Sequence, residues 1–272
     1  DWQRRFAAKI VDAQEAVSRI MRGSRVFIGT GCGEPQHLIR AMVKDERLQD
    51  IMVYQMLSST LSQFVEDESF IRRFSLKLFF ISQSMRKAAF DGKIDYIPEY
   101  LSQIPRMFAS HRIGFDAALV QVSPPDKFGY CSISVSVHIT RSAVEHSPVV
   151  IAQVNPKMPR TWGDSFVHVD DIDYLVPKEE ALVETMTYSE DNEISMRIGH
   201  FVSQLVEDGA TLQMGIGAVP DAVLAALKSH RHLGVHTEMW SDGLLPLLEC
   251  GAVDNSKKTV HPGRTVSGFV VG

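Results

Sequence analysis

The sequence has few of the residues from which disulfide frameworks and metal sites are built. Its 272 residues include three cysteines, Cys32, Cys131 and Cys250, which are odd in number and far apart. This pattern disfavours a disulfide framework and indicates a reducing compartment, so we expect a cytoplasmic protein, or a mitochondrial one in a eukaryote. No C-x-x-C or H-E-x-x-H pattern occurs and the 10 histidines are scattered. We therefore predict no metal site.

Long apolar runs and an excess of positive charge are also missing. No run approaches the roughly 18–20 apolar residues that a membrane span requires. The net charge of −5 gives no electrostatic reason to expect nucleic acid or an anionic membrane as a partner. A composition of 44% hydrophobic and 22% charged residues is ordinary for a globular protein, and 272 residues are enough for one large or two ordinary domains.

The common glycine-rich and nucleophile motifs are absent as well. There is no phosphate-binding G-x-x-x-x-G-K-[ST] sequence and no G-x-S-x-G nucleophile elbow. A glycine pair occurs at Gly29 and Gly31 and again at Gly215 and Gly217. The second pair lacks the third glycine of a dinucleotide fingerprint, because that position is Pro220. These patterns favour neither a nucleotide-hydrolysing loop nor a dinucleotide site.

Strand and helix patterns alternate along the chain. Apolar residues at helical spacing predict an amphipathic helix over residues 4–21, and Glu34 and Pro35 open a second helix that runs to about Val43. Apolar segments predict strands at residues 25–28, 51–56, 76–81, 117–123 and 148–154. This alternation predicts an α/β fold with a mostly parallel sheet.

A repeat divides the chain in two. A helix, a glycine, a strand, a glycine loop and a helix occur twice at an offset of 186 residues, which aligns Gly23 with Gly209, Gly29 with Gly215, Gly31 with Gly217 and Leu38 with Leu224. We predict two similar open α/β domains, residues 1–185 and 186–272, with a boundary in the polar stretch 184–193. The second copy has fewer residues than the first, so we expect it to be incomplete here and the natural polypeptide to continue.

The second glycine loop carries the strongest functional signal. A strand breaks at Gly215 and Gly217 and restarts as a helix, whose first N–H groups suit an anionic ligand or a developing oxyanion. A second strand, Leu233 to Met239, carries Glu238 near its carboxyl end. This pairing indicates acyl chemistry. The residues alone also allow glycines that only permit a tight turn, and a glutamate that is solvated or salt-bridged.

Three other segments have less specific patterns. Ser241 and Asp242 are typical of a turn or helix cap. The proline-broken loop 155–164 follows an apolar strand, and it either contacts substrate or connects to the second domain. Residues 82–86 are a further candidate for lining an acid pocket.

Motifs along nearly the whole chain resemble the acetyl-CoA hydrolase/transferase family, most closely its 4-hydroxybutyrate CoA-transferase branch. They are Asp95–Pro98, Val122–Asp126, Gly129–Ser132, Val154–Arg160, Gly163–Ser165, Gly215–Ala222 and His236–Glu238, with a partial match at Gly31–Pro35. The resemblance implies two similar open α/β domains with the active site between them. It makes Glu238 the covalent nucleophile and places coenzyme A against Gly215, Ile216, Gly217, Ala218 and Val219.

The resemblance implies a CoA-transferase that moves coenzyme A between a short-chain acyl-CoA and a carboxylic acid such as acetate, butyrate or 4-hydroxybutyrate, through a glutamyl-CoA thioester. Coenzyme A is then a substrate, no prosthetic group is needed, and a homo-oligomer is expected. Three alternatives stay open. They are an acyl-CoA hydrolase that uses the same Glu238, a non-catalytic sensor of acyl-CoA or sugar phosphates, and a fragment that a separate chain completes.

Overall fold

The computed structural model describes residues 2–184 and 193–272, and the chain divides into two compact units, residues 1–183 and 184–272. The predicted domain boundary between residues 185 and 186 lies outside the described residues. Each unit is an α/β structure built on parallel strands, as predicted.

The first unit contains a seven-stranded, fully parallel sheet in the order β4-β3-β2-β1-β5-β7-β9. Its strands are β1 Arg25–Ile28, β2 Ile51–Gln55, β3 Phe74–Leu78, β4 Asp95–Tyr96, β5 Ala117–Val122, β7 Val150–Val154 and β9 Tyr174–Pro177, and β6 Tyr130–Ser132 pairs with β8 Phe166–His168 as an antiparallel ribbon. Its helices are α1 Trp2–Arg5, α2 Ala13–Val17, α3 Gln36–Lys44, α4 Glu68–Arg73, α5 Arg86–Phe90, α6 Ile104–Ala109 and α7 Thr140–Glu145.

Two hydrophobic cores cover the two faces of this sheet. Val26 and Ile28 of β1 belong to one core and Phe27 to the other, because successive side chains of a strand point to opposite faces. Strands β5 and β7 are buried at every position, which explains their continuous apolar sequences.

The strand order changes direction at β1. The chain continues from β1 to β2 on one side and later adds β5 on the other side. The carboxyl end of β1 therefore lies at a topological switch point, where α/β sheets commonly bind ligands.

The predicted single helix over residues 4–21 is wrong. The segment forms α1, a 3-10 turn at Ala7–Lys9 and then α2. Ile10 forms a parallel bridge with Leu175, and the Val11 N–H donates to the Leu175 carbonyl at 3.1 Å. Asp12 then starts α2, since its side chain accepts a hydrogen bond from the Glu15 N–H at 2.7 Å. Pairing with a strand about 165 residues away interrupts a helix that periodicity alone would continue.

Smaller differences concern the ends of elements. Helix α3 begins at Gln36, because Pro35 has φ −79° and ψ 73° and so lies outside the helical region. Strand β3 begins two residues before the predicted segment, at Phe74, and ends at Leu78. The predicted strands at 51–56, 117–123 and 148–154 are confirmed to within two residues by β2, β5 and β7.

The second unit contains a three-stranded parallel sheet, with β11 Gly234–Ser241 between β10 Thr211–Leu212 and β12 Val266–Val271. Its helices are α8 Glu193–Ser203, α9 Ala218–Ala226 and α10 Leu245–Glu249. Residues of the sheet and of the helices pack together in one hydrophobic core, whose buried members include Leu224, Leu227, Leu233, Val235 and Leu247.

The two units repeat the same local geometry. Gly23 and Gly209 have φ of +79° and +83°. The Gly23 N–H donates to the Gln49 carbonyl before β2 at 3.0 Å, and the Gly209 N–H donates to the Arg231 carbonyl before β11 at 2.9 Å. The register also repeats, since Arg25 pairs with Met52 in the first unit and Thr211 pairs with Gly234 in the second. Strands β10, β11 and β12 therefore correspond to β1, β2 and β3, and the predicted repeat of two similar α/β units is confirmed.

We predict that Gly199→Ala destabilises the second unit. A Cβ atom at Gly199 would lie 2.6 Å from the carbonyl group of Ala222, so α8 and α9 would have to separate. We expect the free energy of unfolding to fall by about 1–3 kcal/mol, although alanine is the better helix former by about 1 kcal/mol. Urea unfolding would measure this. Arg197→Ala, on the exposed side of the same helix, should change stability by less than about 0.5 kcal/mol.

Candidate active site

Glu238 lies on the exposed face of the central strand of the second unit. Along β11, Val235, Thr237 and Met239 are buried, whereas His236 and Glu238 are exposed. The pairing of β11 with β10 ends at Val235, so Glu238 lies beyond it toward the carboxyl edge of the sheet, where β11 still pairs with β12 as far as Ser241. The parallel pairing of β11 with β12, which matches Thr237 with Ser267 and Met239 with Phe269, holds the chain on either side of Glu238. The backbone of Glu238 is thus held from the neighbouring strand while its side chain is accessible.

The glycine loop between β10 and α9 is open to a ligand. Gly217 has φ +128° and ψ 179°, a conformation that is essentially restricted to glycine, and a Cβ atom there would meet nothing within 4 Å. Ile216 and Val219 are 46% and 38% exposed, although both are large apolar residues. No side chain caps the start of the nine-residue helix α9. The loop therefore combines apolar contact area with helix N–H groups that suit an anionic ligand.

The structure brings these two predicted segments together within one unit. The Met214 N–H donates to the Thr237 hydroxyl at 2.9 Å. Met214 directly precedes Gly215, and Thr237 directly precedes Glu238. The glycine loop and the candidate nucleophile therefore occupy neighbouring positions at one end of a parallel sheet. The chemical roles assigned to Glu238 and to Gly215–Val219 stay predictions.

Asp221 is a carboxylate at this edge that sequence reasoning did not single out. It lies in the first turn of α9, and the Ser241 hydroxyl at the end of β11 donates to it at 3.4 Å. Partial burial raises the pKa of Asp221, and the nearby charge of Asp242 raises it further. Ser241 and Asp242, predicted to be turn residues, lead into a 3-10 turn at Asp242–Leu244. The Asp221–Ser241 contact joins the start of α9 to the end of the strand that carries Glu238.

Glu34 is a fully buried carboxylate beside the glycine loop of the first unit, and the sequence patterns did not identify it as one. Four donors surround it: Gln55 Nε2 at 3.0 Å, the Ser59 N–H at 2.6 Å, and the N–H and hydroxyl of Thr60 at 2.8 and 2.6 Å. Burial raises the pKa of Glu34 to about 6, and the four hydrogen bonds offset only part of that effect. Glu34 fastens the segment after β2 to the end of β1.

Buried glutamines extend this polar network across the sheet. The Gln121 amide of β5 donates to the Glu34 main-chain carbonyl at 2.9 Å, and the Gln153 amide of β7 donates to Gln121 at 3.1 Å and to Glu180 at 2.7 Å. A sequence signal existed for this network. Gln55, Gln121 and Gln153 each stand at or near the carboxyl end of a strand that is otherwise largely apolar.

The loop 155–164 is not a connection to the second unit, so that alternative is wrong. It joins β7 to β8 inside the first unit. Asn155 is buried, and its amide donates to Gln121 and to the Glu180 carbonyl, each at 2.8 Å. Arg160 donates to the Tyr130 carbonyl at 2.9 Å and to Asp126 at 3.0 Å. The substrate contact proposed for this loop, and for residues 82–86, stays a prediction.

Residues 2–184 and 193–272 contain neither a cluster of metal-ligating side chains nor a membrane-spanning helix. No three histidine, cysteine, aspartate or glutamate side chains in these ranges are arranged to hold a metal ion. None of the helices in them has the length and apolar character needed to cross a membrane.

The two α/β units have the CoA-transferase type of fold, since the chain matches the crystal structure of a 4-hydroxybutyrate CoA-transferase from Porphyromonas gingivalis with a TM-score of 0.82 at 31% identity, over 100% of this chain and 65% of that one. Residues 1–186 match the acetyl-CoA hydrolase/transferase N-terminal domain, and the chain belongs to this family.

Two curated relatives and a second solved structure illustrate the similarity. The chain is 41% identical to a 4-hydroxybutyrate coenzyme A transferase of Clostridium kluyveri, over 100% of the chain and 63% of that protein. It is 39% identical to a succinyl-CoA:acetate/propanoyl-CoA:succinate CoA transferase of Fasciola hepatica, over 98% and 56%. The crystal structure of RipA from Yersinia pestis matches with a TM-score of 0.90 at 31% identity, over 100% of this chain and 65% of that one. The chain therefore spans about 60% of the length of the curated relatives.

We predict that Glu34 makes the stability of the first unit depend on pH. Its pKa is about 6 in the folded protein against 4.5 for a free side chain, so the contribution of Glu34 is present below pH 4.5 and is lost as the pH rises through 6. Relative to Glu34→Gln, the wild type should lose about 2 kcal/mol of unfolding free energy between about pH 4 and 7. Urea unfolding across this range would measure the difference, and a difference that stays constant with pH would contradict the prediction.

Proposed function

We propose that the protein to which this chain belongs is a CoA-transferase that uses Glu238 as its nucleophile. The observation that carries this proposal is the placement of Glu238. It is an accessible carboxylate on the middle strand of the second unit, beside a glycine loop whose first helix turn has no side-chain cap. The printed functions of the Clostridium and Fasciola relatives, both CoA transferases, support the same chemistry.

The reaction follows from carboxylate chemistry. Glu238 attacks the thioester carbonyl of an acyl-CoA, the carbon–sulfur bond breaks, and an acyl-glutamyl anhydride and the CoA thiolate form. The thiolate attacks the glutamyl carbonyl and expels the donor acid, which leaves a glutamyl-CoA thioester. An incoming carboxylate attacks this thioester, and the same two steps in reverse produce a new acyl-CoA. Each step conserves an activated acyl bond, so the exchange requires neither ATP nor a prosthetic group.

The glycine loop fits two tasks in this reaction. Ile216 and Val219 offer apolar surface to coenzyme A, and the backbone around Gly215 and Gly217 allows its close approach. The N–H groups at the start of α9 can stabilise the charge that develops on the carbonyl oxygen in each addition step. Loss of one such donor typically costs about 10²–10³ in rate, whereas loss of the nucleophile stops turnover.

The substrates are a short-chain acyl-CoA and a small carboxylic acid. The two relatives differ in the acids that their names give, 4-hydroxybutyrate in one and succinate, acetate and propanoate in the other. We therefore propose the class of acid and not a single acid. A hydrolase that uses the same Glu238 is the second candidate, because water that reaches the anhydride or the thioester would release coenzyme A without an acceptor.

We predict that Glu238→Gln abolishes CoA exchange, because an amide cannot form the anhydride. Wild-type protein incubated with acyl-CoA and no acceptor should carry a CoA-sized, hydroxylamine-sensitive adduct on the peptide that contains Glu238, and mass spectrometry would detect it. Glu249→Gln, an exposed glutamate at the end of α10, is the matched control and should exchange normally. Near-normal exchange by Glu238→Gln would overturn the mechanism. Loss of CoA that an added carboxylate fails to accelerate would identify a hydrolase instead.

We predict that Gly217→Ala weakens the use of acyl-CoA by at least about tenfold in kcat/KM, since the added Cβ makes the φ of +128° unfavourable and the loop must move. Gly251→Ala is the matched control, because Gly251 also has a positive φ, of +77°, and also has nothing within 4 Å of an added Cβ. Both variants should lose stability, and only Gly217→Ala should lose kcat/KM. Equal kinetic effects would indicate that strain, and not the position of the loop, is responsible.

A further inference from the structure

A single buried hydroxyl connects the two segments of the candidate site. Thr237 is 5% exposed, and its Oγ1 lies 2.9 Å from the Met214 nitrogen, 3.2 Å from the Met214 oxygen and 3.0 Å from the Met239 oxygen. A hydroxyl has one proton and two lone pairs. Thr237 therefore accepts from the Met214 N–H and donates to one of the two carbonyls.

This hydroxyl gives the Met214 N–H an acceptor that the β10–β11 pairing does not supply. Pairing between β10 and β11 consists of Thr211 with Gly234 and Leu212 with Val235, and it stops there. Met214 follows two residues after Leu212, is buried, and directly precedes Gly215, the first glycine of the loop. A buried backbone N–H without a partner costs about 1–3 kcal/mol, so the Thr237 side chain replaces the missing ladder bond and fixes where the chain leaves the sheet.

The first unit has a side chain that binds the backbone one residue further along, at the residue equivalent to Gly215. By the repeated strand register, Thr237 corresponds to Gln55, three residues after the paired positions Gly234 and Met52. The Gln55 amide donates to the Gly29 carbonyl at 2.9 Å, at the end of β1. In both units a polar side chain of β2 or β11 therefore binds the backbone where the first strand meets the glycine loop, at Gly29 in one unit and at Met214 in the other. This recurrence indicates that the position serves to hold the loop.

We propose that Thr237 is a positioning residue for acyl transfer, and that it acts by holding Met214 so that the loop Gly215–Ala218 is fixed relative to Glu238. This inference rests on the proposed function. The Thr237 hydroxyl bonds only main-chain groups in this role and takes no part in the reaction itself. It adjoins Glu238 in the chain and Met214 through its hydroxyl, so a shift of the loop changes the distance between the oxyanion donors and the carbonyl that Glu238 attacks. A misplacement of about 1 Å can cost about 10²-fold in rate.

The test compares Thr237→Val with Thr237→Ser in the complete polypeptide as it is encoded. Valine keeps the shape of threonine and removes the hydroxyl, whereas serine keeps the hydroxyl and removes a methyl group. We expect Thr237→Val to form the glutamyl-CoA adduct about 10–100-fold more slowly at saturating acyl-CoA, and Thr237→Ser to stay within about threefold of the wild type. Rescue by serine is the outcome that a general packing role would not produce. If Thr237→Val does not fold, Thr237→Ala replaces it.

Amide hydrogen exchange provides a readout that does not depend on activity. The Met214 amide should exchange faster in Thr237→Val than in the wild type or in Thr237→Ser, because its acceptor has been removed. An active wild type with a Thr237→Val variant that forms the adduct at the wild-type rate would overturn the positioning role alone. A wild type that forms no adduct would overturn the proposed function and this inference with it. Unchanged protection of Met214 in Thr237→Val would show that the hydroxyl does not hold the loop.

Discussion

The structure depends on how backbone groups are satisfied where parallel strands end. In a parallel sheet all carboxyl ends meet at one edge, and a chain that turns away there loses its ladder hydrogen bonds. Polar side chains supply hydrogen bonds to these backbone groups in both units. Gln55 holds Gly29 at the end of β1, and Thr237 holds Met214 after β10. The loop Gly215–Ala218 can be open because Met214, the residue before it, is held by a hydrogen bond.

The two units use carboxylates at this edge in opposite ways. Glu34 is fully buried and surrounded by four donors, so its oxygens serve as acceptors that fasten one loop to another. Glu238 is exposed on its strand, so its carboxylate is accessible. The environment therefore makes one carboxylate a buried hydrogen-bond acceptor and leaves the other accessible. The repeat makes the contrast clearer, because the position that corresponds to Glu238 is occupied in the first unit by the apolar, buried Met56.

Much of the fold could be predicted from local patterns. The apolar runs of β2, β5 and β7 predicted those strands because a strand buried on both faces has few polar positions. The glycine spacing predicted the repeat. The N-terminal helix was predicted wrongly, since nothing near Ile10 in the sequence reveals its bridge to Leu175. Glu34 was missed for a similar reason: its donors at residues 55, 59 and 60 come from another strand and the loop that follows it.

The sequence by itself determined the alternation of strands and helices, the repeat, and the candidate pair of Glu238 and the loop Gly215–Val219. These features are periodic or short, so local residue order is enough to specify them. Only the tertiary structure decided which polar groups are buried and which are accessible, because burial depends on residues that are distant in the chain. It made Glu34 a buried acceptor, left Glu238 exposed, and placed the Thr237 hydroxyl 2.9 Å from the Met214 nitrogen.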